Sequence, residues 1–227
     1  VVKARMFYSG QLPGPTVTNT YFINEGFDQR GLPVLSLSSD PDYFFAADSG
    51  LYVQDFKPTW EYPVHLEFYE PDGLAGFHHD AGIQVGGQNA WILPQKLLNI
   101  YSRGQYGSGH FDYQLFPDNP RTRFGDIVLR CSGNDWSYTM FRDGMMQGLI
   151  DQAADMDDQD FRPCLVYING QYFGIHNIRE KQDAEFTEYY HSIDPDSLDY
   201  IENNAEVKEG NDIAYQQLVA MLTAGVQ

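Results

Sequence analysis

Charge collects abruptly in the stretch "VYINGQYFGIHNIREKQDAEF", residues 166–186, where Arg179, Glu180 and Lys181, with Asp183 close behind, follow two apolar runs and an Asn-Gly pair. Asn169-Gly170 supplies the two positive-φ positions of a type I′ turn, so residues 165–168 and 171–175 are predicted to pair as adjacent antiparallel strands. A hairpin of that kind is a rigid platform, and charges leaving its second strand are held in a fixed orientation. The plainest role for them is a charged helix start ahead of "AEFTEYYHS", where the helix dipole favours Asp and Glu. Three other groups could do chemistry. "DMDDQD", residues 155–160, has the acidic density of a calcium loop but lacks the Gly and the distal Glu of an EF-hand, which predicts a solvated loop. In His78-His79-Asp80, neighbouring residues of a strand point to opposite faces, so both histidines cannot serve one ion. Cys131 and Cys164 lie in the strand-like runs "IVLRCSGNDW" and "FRPCLVYI", as two buried small side chains or as one bridge between neighbouring strands. Without a CxxC pattern, structural zinc is not expected.

Composition narrows the partners. Over 227 residues, 32 acidic against 14 basic side chains give a net charge of −18, which repels a phosphate backbone and anionic lipid. Nucleic acid is therefore excluded as an expected partner. No apolar run approaches the ~20 residues of a membrane helix, so no membrane insertion is expected. The opening VVKARMFYSG has neither an initiator Met nor a signal peptide, and the chain reads as a fragment of a longer precursor.

The elements that must position these residues can be read from periodicity. "VKARMFYSG" and "PTVTNTYFI" are two short strands joined by the turn "GQLPGP", and "NEGFDQRG" follows as a linker, which sets a domain boundary at 25/26. "LPVLSLSSD", "VHLEFYE", "AGIQVGG", "KLLNIYSR", "DIVLRCS", "PCLVYIN" and "QYFGIHNI" read as strands, several too uniformly apolar to be exposed on either face. Helical spacing links Tyr138, Phe141, Met145 and Leu149, with Phe141, Met145 and Leu149 marking a buried stripe, and again links Tyr215, Leu218, Val219 and Leu222, with Gly225 as the stop. Strands, a helix, a hairpin, then helices make an α+β fold, mainly antiparallel sheet with a few packed helices.

"YINGQYFGIHNIREKQD" resembles the signature of the CotH kinase family, whose members run a similar NG-x-Y-x-G-x-x-x-x-REK-x-D pattern. The likeness continues in family order through "LPVLSLSSDPDYFF", "GLYV", "YPVHLEFYEPDG", "LPQK", "SGNDW", "TMFRDGMMQ", "DPDSLDYIENN" and "EVKEG", from about residue 32 to about residue 210. Residues 1–25 resemble the last strands of a chitobiase-type C-terminal module, and residues 26–227 a CotH-like kinase domain that lacks its carboxy-terminal part.

The resemblance implies an atypical, kinase-like amino-terminal lobe that transfers the γ-phosphoryl of ATP to Ser or Thr of a protein acceptor, within an exported bacterial surface or coat protein. Phosphoryl transfer asks for a loop over the phosphates, a cation on them, metal carboxylates and positioning. Gly86-Gly87 and Lys96 then stand as the glycine loop and phosphate lysine. Asp143 and Glu180 are the rival acids that would hold the lysine, and Arg179 and Asp183 stand at the cofactor's edge. Arg142 and Arg179 also suit neutralisation of these acids. Mg²⁺ is implied with ATP, its ligands expected beyond Gln227 and none assigned within the chain, so the fragment alone is expected to be inactive and to self-associate through its truncated face. The sequence departs from the family at Asn89-Ala90-Trp91, where a small-Ser-Arg segment is usual, and at Leu97 and Asn99, where Ser and Arg are usual. These changes leave a second reading open, a non-catalytic structural or binding module that kept the fold.

Overall fold

Seven strands close on themselves to make the frame of the first part of the chain. The computed structural model describes residues 1–23, 31–53, 58–87, 92–154, 156–203 and 205–225. It divides into two units, Val1–Glu180 and Lys181–Gln227. The expected boundary at 25/26 lies outside the described residues.

In the first unit, β1 (Val2–Ala4) and β2 (Val17–Asn19) form a short antiparallel ribbon. Then come β3 (Val34–Ser38), helix α1 (Pro41–Phe45), β4 (Glu61–Tyr69), β5 (Ala75–Val85) and β6 (Leu98–Tyr101). A small pair, β7 (Phe111–Asp112) with β8 (Arg123–Phe124), precedes β9 (Asp126–Arg130), helix α2 (Arg142–Ala153), β10 (Phe161–Ile168) and β11 (Gln171–Arg179). The barrel runs β3-β4-β5-β6-β9-β11-β10 with antiparallel pairing throughout, and the parallel pair of β10 with β3 closes it. Strands in such a frame alternate inward and outward faces. Leu35, Leu37, Val64, Leu66, Phe68, Ile83, Leu98, Ile100, Ile127, Leu129, Val166 and Ile178 fill one core. β3, VLSLS, is buried at every position, Ser36 and Ser38 included.

The β10–β11 hairpin forms as expected, with Asn169 at φ 50° and Gly170 at φ 84°, and Ile168 opposite Gln171. Both cysteines are buried and free, so the bridge does not form. The first ribbon is tied to the barrel by Thr20, whose backbone N–H donates to Glu67 at 2.9 Å and whose hydroxyl meets Ser36 at 2.8 Å.

Helix α2 forms where expected but presents a different face. Tyr138 precedes it, and Phe141, Met145 and Leu149 are exposed rather than buried. Gly144 is the residue it buries, because there the backbone lies so close to the Phe161 ring that a Cβ would stand 2.6 Å from Cε2. The helix start is held from upstream: the Asp135 carboxylate accepts from the Arg142 backbone N–H at 3.1 Å and from the Thr139 side chain. Those bonds favour the ionised form and hold the Asp135 carboxyl below its ordinary range.

The second unit contains α3 (Ala184–His191), the ribbon β12 (Tyr200–Glu202) with β13 (Glu206–Glu209), and α4 (Ile213–Thr223). The Gly225 stop holds, at φ 76°. Across both units, no helix of the described residues is long and apolar enough to cross a membrane.

Candidate functional site

β5 and β6 are antiparallel neighbours, and the loop between them carries the glycine pair at one end and Lys96 at the other. The Gly86 N–H donates to the Leu97 carbonyl at 2.9 Å, extending the ladder one step beyond Val85 and Leu98. A Cβ at Gly86 would lie 2.5 Å from the Asn99 amide nitrogen and 2.7 Å from a Leu97 methyl, so a side chain there would displace the ends of both. Gly87 turns at φ 80°, a conformation open to glycine. Asn89, Ala90 and Trp91 lie outside the described residues.

Lys96 is 5% exposed. Its ammonium stands 5.6 Å from the centroid of the Tyr52 ring, within reach of the ring's negative face. Burial disfavours the charged form and lowers its pKa. The Lys96 carbonyl accepts a bond from His176 Nε2 at 3.3 Å. His176 is fully buried, and desolvation pushes its pKa down to about 4, so at neutral pH it is the uncharged tautomer with its proton on Nε2. Gln95, next in the chain, is held at both ends of its amide. Trp136 Nε1 donates to its Oε1 at 2.7 Å, and its Nε2 donates to the Phe173 carbonyl at 2.8 Å.

Each of the two rival acids has an arginine close by. Asp143, 34% exposed, lies against Arg179, and Arg130 Nε is 3.0 Å from the same carboxylate. Arg179 is buried and also donates to the Gln159 carbonyl at 2.9 Å. Desolvation lowers its pKa, and Asp143 opposes that shift. Arg142 turns back to Asp135 at 3.3 Å, so each arginine does neutralise an acid, although Arg142 serves one the sequence did not single out. Glu180 is 1% exposed, 3.8 Å from Arg121 Nη1, and accepts from Asn119 Nδ2 at 3.5 Å. Asp183, in the second unit, caps α3: its carboxylate accepts from the Phe186 N–H at 3.2 Å and sits 3.5 Å from Lys181. Thus Arg179 and Asp143 are brought together, Gly86-Gly87 and Lys96 share one hairpin loop, and Asp183 starts a helix.

Tyr52, Gln95, His176, Arg121 and Asn119 were not anticipated. Tyr52 and Gln95 lie in "GLYV" and "LPQK", the segments that carry the resemblance, whereas a histidine inside an apolar strand and the "NPRTR" loop give no signal of their own. Among the described residues no group of three or more His, Cys, Asp or Glu side chains could hold a metal ion.

An α+β frame of mainly antiparallel sheet, with a glycine turn and a buried lysine on one hairpin, defines a kinase-like amino-terminal lobe. A family model described as CotH kinase protein matches residues 83–221, and the chain belongs to that family. The matched span holds every candidate site residue from Gly86 to Asp183 and begins within β5. A search of curated proteins finds no match.

Proposed function

We propose that this chain is the nucleotide-binding part of an ATP-dependent protein Ser/Thr kinase, carried by an exported bacterial surface or coat protein. One observation supports this above the others: Lys96 is a buried ammonium at the end of a loop that opens on a glycine pair. ATP, when bound, supplies the transferable phosphoryl group. Phosphate oxygens suit the place, because a cation already stripped of water interacts with them more strongly than an exposed ion pair, which contributes ~1 kcal/mol or less. Gly86 packs closely against Asn99 and Leu97, and Gly87 lets backbone approach the phosphates without a Cβ between them. Asp143 and Glu180 keep Arg179 and Arg121 in place along the cofactor's edge, and Asp183 orders the helix that follows. The described residues do not assemble a carboxylate set for Mg²⁺, so no step is assigned to a metal here. The acceptor is a Ser- or Thr-bearing protein. Exposed Ile213, Leu218, Met221 and Leu222 on α4 offer an apolar face for self-association.

A second reading is favoured by Leu97 and Asn99, which place an apolar and a neutral side chain where charge would help hold phosphates. Asn99 is packed against Gly86. In that reading the fold survives as a non-catalytic binding or structural module. Calorimetric titration with ATP and Mg²⁺ separates the two. The kinase reading expects saturable binding that Lys96→Ala weakens about tenfold or more, equivalent to ~1.4 kcal/mol. Equal affinity in both proteins removes Lys96 from the site, and no binding in either favours the second reading.

A further inference from the structure

We infer that Gln95 is the positioning residue for Lys96, and that the "SGNDW" loop and Gly174 exist in part to hold it; this rests on the phosphate role proposed for Lys96. The amide of Gln95 has one acceptor and one donor engaged, each with a different part of the barrel: the Trp136 indole on the loop after β9, and the Phe173 carbonyl on β11. Gly174, at φ 113°, leaves the space the amide occupies, since a Cβ there would collide with it. The glycine of the hairpin signature and the tryptophan of "SGNDW", about 40 residues apart in chain order, therefore converge on one side chain.

Immediately after it, His176 binds the Lys96 carbonyl. Bonds on both sides of the Gln95–Lys96 peptide fix the backbone from which the lysine side chain starts. A buried side chain with four rotatable bonds keeps its ammonium in place only if that starting point is rigid. Trp136 also follows Asp135, which holds the first turn of α2, so one short loop orders both the lysine segment and the helix bearing Asp143.

Gln95→Leu removes both amide bonds while keeping the bulk, and Trp136→Phe removes the indole N–H while keeping an aromatic ring. Each is titrated with Mg-ATP and with adenosine, alone and combined with Lys96→Ala. The expected result is a loss of about tenfold in ATP affinity, the scale on which supporting residues act on a bound group, with adenosine binding unchanged. In the Lys96→Ala background the same substitutions should cost ATP affinity nothing further. An equal loss for ATP and adenosine, or a loss that adds fully to that of Lys96→Ala, would overturn the positioning role and leave Gln95 a purely structural residue. Unchanged ATP affinity in Trp136→Phe and Gln95→Leu, while Lys96→Ala weakens it, also overturns it. If Lys96→Ala itself changes nothing, the phosphate reading fails first and the inference with it.

Discussion

His176 is the residue whose chemistry has the clearest consequence away from any ligand. In the unfolded chain its imidazole titrates near 6.5, whereas in the folded barrel burial pushes it to about 4. Between those values the unfolded state binds the proton and the folded state does not, so stability is fully present above pH 6.5 and is lost as pH falls toward 4. By linkage the loss between pH 7.5 and pH 5 is about 2 kcal/mol. His176→Gln keeps a donor for the Lys96 carbonyl but cannot charge. Denaturant midpoints of the two proteins should therefore converge as pH falls from 7.5 to 5, and parallel pH profiles would show that His176 does not titrate in this window. Desolvation also lowers His79, which adds to the slope equally in both proteins. At this scale Lys96 could be singled out in sequence only through the family resemblance carried by "LPQK", since a glycine pair ahead of a lysine is a weak signal on its own. Gln95, Tyr52 and His176 could not, since what matters about them is the partner each meets, and those partners lie on β11, on the loop after β9 and around Lys96 itself.

Elements were legible in proportion to how local their causes are. The seven barrel strands follow from apolar runs, and the β10–β11 register follows from the two φ-positive residues of its turn. Barrel closure was hidden, because the β3–β10 pairing joins segments more than 100 residues apart and no turn specifies it. Helix α2 was legible in extent but not in orientation. Its apolar stripe suggested burial through Phe141, Met145 and Leu149, yet the helix meets the barrel through the bare backbone at Gly144 and through the Asp143 carboxylate, which reaches Arg130 and Arg179. Gly144 and Gly148 therefore respond oppositely to alanine. At Gly144 the new methyl would press on Phe161, whose ring is also covered by the Arg179 guanidinium at 5.4 Å, and overpacking of this kind costs roughly 1–3 kcal/mol. At Gly148 the nearest atom is 4.0 Å away, so Gly148→Ala should gain about 0.5–1 kcal/mol of helix propensity. Thermal midpoints of the two variants check this. A shift in the same direction for both would mean that α2 does not rest on Phe161 through Gly144.

The whole molecule divides its stability unevenly between its two units. Unit Val1–Glu180 carries a closed barrel around a large apolar core, and each fully buried Leu, Ile or Phe in it contributes on the order of 1.5–3 kcal/mol. Unit Lys181–Gln227 has Phe186 as its sole buried side chain among the described residues, while Ile213, Leu218, Met221 and Leu222 of α4 are exposed. Ordering each residue's backbone costs roughly 1–2 kcal/mol, so one buried phenylalanine, a capped helix and a short ribbon cannot offset the ordering of a segment this long. A chain ending at Gln182, which keeps the buried Arg179 and Glu180, should unfold in one cooperative transition with its near-UV aromatic signal intact. A peptide of residues 181–227 should give a sloping melt without a baseline, with helix content that rises only in a helix-favouring cosolvent. The comparison is made by circular dichroism at matched concentration, with dilution of the peptide to reveal association through α4. A sharp, concentration-independent melt of the isolated peptide would show a second core that the burial pattern does not contain. A non-cooperative melt of the chain ending at Gln182 would show that the barrel needs residues 183–227 to close.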